Sequence, residues 1–246
     1  MRAQTCCALI LFLLLSVHSR AQTTCVDPTQ LAYSTVSITR YFDEAERSGR
    51  SNLAGIRGTG WFHSPNTIVT VEHVVTEMGL STQEWKLLDI TAVTGMQQIS
   101  ARILRFAGGR FERLAVIELQ TDAPGARSAE IRMSPLSPED RVLTIAYLQD
   151  DRRPVGGRFV EYGSDGRLAG AALLEMYEGN NRLIIDHGAS GSPVFDCNGQ
   201  ITAVISTVIT QVLNTPFGAK RISTAWGMPN VVSVPVRPLV DALTQK

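Results

Sequence analysis

Cysteine is scarce in this chain, with four in 246 residues, and Cys6 and Cys7 stand inside an N-terminal apolar run. That leaves Cys25 and Cys197, with no histidine at ligand spacing, whereas zinc asks for four ligands; no metal and no cofactor are expected. Basic clusters are missing too. Lys and Arg number 23, Asp and Glu also 23, and no basic run interrupts the mixture. Nucleic acid and anionic membrane are therefore excluded as partner classes. The longest apolar run, Cys6 to Val17, falls short of the roughly 20 residues that span a bilayer. No internal repeat and no low-complexity tract is present, and only four histidines are available for chemistry.

What is there begins with a leader. Met1-Arg2 forms a positive start, the apolar run follows, and Ser19-Arg20-Ala21 reads as a small-x-small cleavage site. The expectation is a signal peptide over 1–21 and a secreted or periplasmic product with no stable membrane association after cleavage. An uncleaved anchor is the alternative. Export to an oxidising compartment makes a Cys25–Cys197 disulfide the natural expectation for the two remaining cysteines.

Apolar residues make up 44% of the chain, ample for a packed core. After an irregular arm over Thr23–Gln30, most segments are short and alternate with period two, which predicts an all-β barrel or sandwich. Expected strands are Ser34–Arg40, Thr67–Val71, Lys86–Val93, Ser100–Phe106 and Leu114–Leu119 in a lobe over 22–120. Asp43 to Asn52 reads as a loop or one helical turn. Residues 121–141, with Pro124, Gly125, Pro135 and Pro138, read as a crossing between lobes. A second lobe over 142–246 has strands at Val142–Leu148, Gly157–Tyr162, Leu168–Met176, Arg182–Ile185, Pro193–Asp196 and Ile201–Ile209. Asn198-Gly199 signals a type I′ hairpin between the last two. Pro238, with Leu239, Val240 and Leu243 on one face, marks a short C-terminal helix.

The stretch around which the chain is organised is Asp186-His187-Gly188-Ala189-Ser190-Gly191-Ser192-Pro193-Val194-Phe195-Asp196. Its small residues permit a tight turn whose N–H groups converge on an oxyanion. By composition alone it reads equally well as a Gly/Ser-rich surface turn. A second stretch, Gly58-Thr59-Gly60-Trp61-Phe62 through Thr70-Val71-Glu72-His73, changes the balance. Together the two resemble the trypsin-like (chymotrypsin-fold) serine proteases, in particular the bacterial branch with the glutamyl endopeptidases and HtrA-type proteases. The resemblance spans most of the chain after the leader. It implies two six-stranded antiparallel β-barrels with a site between them, and a protein or peptide substrate.

On that resemblance His73 maps to the general base, Ser190 to the nucleophile, and the Gly188 and Ser190 amides to the oxyanion hole. Ala189 stands where secreted digestive relatives carry the aspartate of an activation switch, so no cleavage beyond leader removal is implied. An α/β-hydrolase is excluded, because no histidine follows Ser190. His63, in a Ser-Pro-Asn turn, reads as an exposed bystander, and His187 as a turn residue beside the nucleophile loop.

The acid departs from the family pattern. Relatives place an aspartate at the start of the strand matching Leu114-Ala115-Val116-Ile117, and here Arg113 holds that place. A guanidinium beside His73 would disfavour the imidazolium formed in acylation. Glu112 is the nearest carboxylate, but in a regular strand it faces the other way, so recruiting it calls for a bulge or slipped register. Two functions follow: a serine endopeptidase, weakened if the acid is lost, or a catalytically inactive protease-like binding module. For substrate, Ser206 lies in a run suited to pair with an extended peptide, and Ile184 and Ile185 suggest an apolar pocket; core strand positions are an equal reading for these three.

Overall fold

The structure, a computed structural model, describes residues 25–148, 151–178, 181–182, 188–215 and 218–244. The leader expected over 1–21, together with Ile184, Ile185 and His187, lies outside the described residues.

The first lobe is a closed antiparallel barrel. Its strands are β1 (Thr35–Tyr41), β2 (Gly55–Ser64), β3 (Thr67–Val71), β4 (Lys86–Ala92), β5 (Gly95–Gly108) and β6 (Arg113–Leu119). They close in the order β1-β2-β3-β6-β5-β4, with β4 returning to β1 through pairs such as Ile38↔Ile90. Period-two alternation drives this closure: Val36, Ile38, Phe62, Ile68, Leu88, Ile103 and Ile117 share one buried face of the sheet, and the fully buried Trp61 shares the other with Val69 and Val116.

The second lobe contains β7 (Arg141–Leu148), β8 (Asp151–Tyr162), β9 (Ala172–Glu178), β10 (Asn181–Arg182), β11 (Pro193–Asp196), β12 (Ile201–Val208), β13 (Thr210–Thr215), β14 (Gly218–Ser223) and β15 (Val231–Pro235). Six of them close a second barrel, β7-β8-β9-β15-β12-β11, sealed where β11 meets β7 and β9 meets β8. Phe159, Leu174, Met176, Val194 and Val231 fill it. β10 extends the edge at β9, and β13 and β14 form a separate hairpin where the alternation pattern shows one strand ending at Ile209.

Short helices punctuate the barrels: α1 (Pro28–Leu31), α2 (Glu44–Ser48), α3 (Glu72–Glu77) and α4 (Arg237–Thr244). α1 stands where the sequence reads as an irregular arm; Asp27 caps it, accepting from the Thr29 N–H at 2.9 Å, with Pro28 at the first helical position. In α2, Asp43 and Glu46 make a reciprocal capping box, which selects the helical turn over the loop. Leu239 of α4 is buried in the first-barrel cluster, and Arg105 Nη1 donates to the Ala242 carbonyl, so the C-terminal helix ties the lobes together. Among the described residues no helix is long and apolar enough to cross a membrane.

The crossing between β6 and β7 is irregular apart from an Ile131–Ile201 bridge. Cys25 and Cys197 are joined by a disulfide, and the Val26 N–H donates to the Cys197 carbonyl, so the N-terminal arm is fastened to the second barrel. The β11–β12 hairpin exists, but its turn is not type I′, which needs positive φ at both central residues. Only Gly199 has it (φ 82), while the Asp196 carboxylate accepts from the Asn198 and Gln200 amides. That matches a type I turn closed by a glycine bulge.

Candidate active site

His73 does not end a strand. β3 stops at Val71, and His73 is the second residue of α3, a turn that swings its ring out of the barrel wall. The first N–H groups of a helix have no intrahelical acceptor. One is satisfied by a side chain: the His73 N–H donates to Glu112 Oε1 at 3.1 Å. The same oxygen lies 2.7 Å from His73 Nδ1. The carboxylate therefore holds both the backbone and the ring of this residue.

Glu112 reaches His73 without a bulge or a slipped register. The β5–β6 ladder opens with Gly108↔Arg113, so Glu112 precedes the strand and the alternation rule does not bind it. Arg113, expected in the acid's place, turns away. Its guanidinium pairs through Nε and Nη2 with the Glu72 carboxylate and stacks over Phe106 at 4.2 Å. Being 46% exposed, it directs its charge to solvent and to Glu72 rather than to the imidazole.

The second barrel supplies two further groups. Ser206 Oγ donates to Glu112 Oε2 at 2.5 Å, and the Ser206 carbonyl accepts from Ser190 Oγ at 3.0 Å. A bulge makes both possible. The β12–β15 register runs Ile205↔Ser233 and then Thr207↔Val232, leaving Ser206 as the extra residue. Ile205 and Ser206 are consequently both buried although adjacent. The sequence places Ser206 in a run suited to a substrate edge; in the structure its hydroxyl holds the acid.

Burial alone would push the His73 pKa down, but the hydrogen bond and charge of Glu112 outweigh it, and the net shift is upward. For Glu112 burial works to raise the pKa, and the hydrogen bonds from His73 and Ser206 more than reverse it. Glu112 is thus ionised at neutral pH and acts as an acceptor on all its contacts. That fixes the neutral imidazole with its proton on Nδ1 and leaves Nε2 with a lone pair.

The Ser190 loop is clamped by Thr59 of the first barrel. Thr59 Oγ1 donates to the Gly188 carbonyl at 2.6 Å, and the Thr59 N–H to the Ser190 carbonyl at 2.8 Å. Glycine is obligatory at two places. Gly191 has φ 91, and a Cβ there would stand 1.8 Å from the Thr59 oxygen. Gly188 has φ 110, and its Cβ would meet the Tyr147 carbonyl at 2.9 Å. Among the described residues the Gly188 and Ser190 amides have no acceptor. No cluster of three metal-ligating side chains occurs among them either. His63, read as an exposed bystander, is half-buried edge-on to Trp61 at 5.7 Å, and burial lowers its pKa.

Two closed six-stranded barrels with this loop at their junction define the chymotrypsin-like fold. Residues 58–204 match the trypsin-like peptidase domain family, and the chain belongs to it. Solved structures agree in fold. The active form of the Rv3671c protease from M. tuberculosis superposes with a TM-score of 0.60 at 14% identity, covering 89% of this chain and 82% of that one. Its inactive form gives 0.55 at 16% identity over 88% and 90%, and Deg5 gives 0.57 at 14% over 87% and 90%. No curated protein matches the chain in sequence.

Proposed function

We propose that this protein is a serine endopeptidase working through Ser190, His73 and Glu112. The observation that carries the reading is the carboxylate of Glu112 at 2.7 Å from His73 Nδ1, with Arg113 drawn off by Glu72. His73 Nε2 takes the Ser190 proton as Oγ bonds to the scissile carbonyl carbon, and the oxygen of that carbonyl gains a negative charge. The Gly188 and Ser190 N–H groups receive it. As the C–N bond breaks, the imidazolium returns its proton to the leaving amine, giving an acyl-enzyme. Water then attacks by the same proton path. Glu112 stabilises the imidazolium throughout and keeps the ring in its productive tautomer.

The substrate is a protein or peptide bound as an added strand along the β12 edge near Ser206, and the sequence at Ile184 and Ile185 favours an apolar side chain. Leader removal at Ala21 and action in a secreted or periplasmic setting complete the reading, supported by the Cys25–Cys197 bridge. The lobes 22–120 and 142–246, joined by 121–141, are supported by β6 ending at Leu119 and β7 starting at Arg141.

One observation favours the non-catalytic module instead: in the resting chain Ser190 donates to the Ser206 carbonyl. In the peptidase reading, an incoming peptide N–H competes for that carbonyl and frees the hydroxyl to turn to His73. Hydrolysis of a fluorogenic peptide library by the mature protein decides between them. Ser190→Ala and His73→Ala should each lower cleavage to background with the thermal midpoint within a few degrees of wild type. Undiminished cleavage by Ser190→Ala defeats the peptidase reading.

A further inference from the structure

Behind the acid, on the side away from His73, lies a cavity of about 450 Å³ that the reaction above does not use. It falls within the roughly 300–1,000 Å³ typical of small-molecule sites. Several parts of the chain meet there, among them the loop carrying Glu112, the crossing segment at Leu136, the end of β8 at Tyr162, and the start of α4. Phe111, Leu136, Tyr162 and Pro238 give it largely apolar walls. Those walls offer little hydrogen bonding, since the Tyr162 phenol oxygen already accepts from the Leu136 N–H at 2.9 Å.

The charge balance of the lining is one-sided. Glu112 turns its carboxylate to His73 and Ser206, and Asp241 is engaged within the protein. Arg132 is bound to Asp140, Asp196 and Ser134. Arg110 and Arg237 line the same cavity, are exposed, and have no acidic partner among the described residues. An apolar hollow with two uncompensated guanidinium groups complements a molecule with an apolar body and one anionic end.

We propose that this cavity binds a small amphipathic monocarboxylate of the fatty-acid type, its tail on Phe111 and Leu136 and its carboxylate on Arg110 and Arg237. Occupancy is coupled to the active site through the loop. Gly108 and Gly109, at φ 76 and 144, form a glycine hinge four and three residues before Glu112. A ligand against Phe111 restricts that hinge and holds Glu112 on His73. Binding stands on the cavity alone, whereas the effect on hydrolysis rests on the peptidase reading above.

The test is calorimetric titration of the mature protein with dodecanoate, dodecanol, dodecyltrimethylammonium and an acetylated peptide ending in a free Leu carboxylate. In parallel, the His73 ring is titrated by NMR with and without dodecanoate. Expected are saturable one-to-one dodecanoate binding below about 1 mM, affinity lowered about tenfold or more in Arg110→Gln/Arg237→Gln, and loss of binding in Leu136→Trp. Dodecanol should bind more weakly and the cation not at all, and dodecanoate should raise the His73 pKa. The arginine variant should leave ligand-free hydrolysis unchanged. No saturable dodecanoate binding, equal affinity for the cation, insensitivity to both variants, or binding of the peptide alone overturns the site. Dodecanoate binding that leaves the His73 titration unmoved overturns the coupling. A protein that binds dodecanoate as expected but cleaves no peptide retains the site and loses only the peptidase reading.

Discussion

Ser206 Oγ stands 2.5 Å from Glu112 Oε2, so the hydroxyl of a second-barrel strand fixes the carboxylate of a first-barrel loop. The contact spans the lobe boundary and takes up the oxygen that His73 leaves free. Ser206→Ala should lower kcat by about 10- to 100-fold, because one hydrogen bond to a charged group is worth roughly 1.5–3 kcal/mol. KM should change little. Steady-state kinetics on the best library peptide checks this, and a change confined to KM would mean that Ser206 serves only substrate binding.

Glu112→Gln should be far more damaging. Replacing the orienting carboxylate by an amide in a well-studied relative lowers turnover by roughly 10⁴-fold, and a loss on the order of 10³–10⁴-fold is expected here. Arg113→Ala removes an exposed pair with Glu72. It should leave the thermal midpoint nearly unchanged and alter turnover by less than about threefold. The opposite pattern, a crippled Arg113→Ala and an intact Glu112→Gln, would mean that the acid has been misassigned.

That contrast marks where the sequence stopped being readable. The Gly58–Trp61 and Gly188–Pro193 stretches are legible because their chemistry is local: small residues, tight turns and fixed spacing. The barrels follow from alternation for the same reason. Glu112 was obscured because strand alternation was applied one residue before the ladder opens. The signal that separates it from Arg113 is Glu72 beside His73, an acid that satisfies the guanidinium, and it gains meaning only once α3 and β6 are neighbours. The bulge at Ser206 depends on pairing with β15, which no local pattern announces. The cavity behind Glu112 needs segments distant in sequence brought together.

The pH dependence follows from the shifts at His73 and Glu112. A base must be neutral to act, so with the His73 pKa raised, the acid limb of kcat/KM should lie above the ordinary histidine value of about 6.5. In Glu112→Gln the limb should move to lower pH, because burial is then opposed only by the charge of Glu77. Stability should follow the same pair. The raised His73 pKa contributes fully below its unfolded value and is lost as pH rises through the folded one. The lowered Glu112 pKa contributes above its unfolded value of about 4.3 and is lost as pH falls through the folded one. Against a Ser190→Ala background, which prevents self-digestion, the thermal midpoint penalty of Glu112→Gln should be largest between about pH 4.5 and 6.5. A penalty flat across pH would contradict the ion pair.

Thr59→Val keeps the shape of the side chain and deletes the hydroxyl that holds the Gly188 carbonyl. An unsatisfied buried carbonyl costs roughly 1–3 kcal/mol, and denaturant unfolding should register a loss of that size. Because Gly188 carries one of the two N–H groups assigned to the oxyanion, kcat should fall more than KM rises. An unchanged kcat with lowered stability would confine Thr59 to a structural role.

Labelling by an active-site peptidyl phosphonate tests the central claim most directly, since only a serine whose proton a working base removes attacks the phosphorus and displaces its leaving group. Intact mass and peptide mapping of the mature protein should find one adduct, on Ser190. It should form in wild type and Arg113→Ala, slow sharply in Glu112→Gln and vanish in His73→Ala. An unlabelled wild-type protein, or an adduct on another residue, would contradict a working Ser190–His73–Glu112 triad.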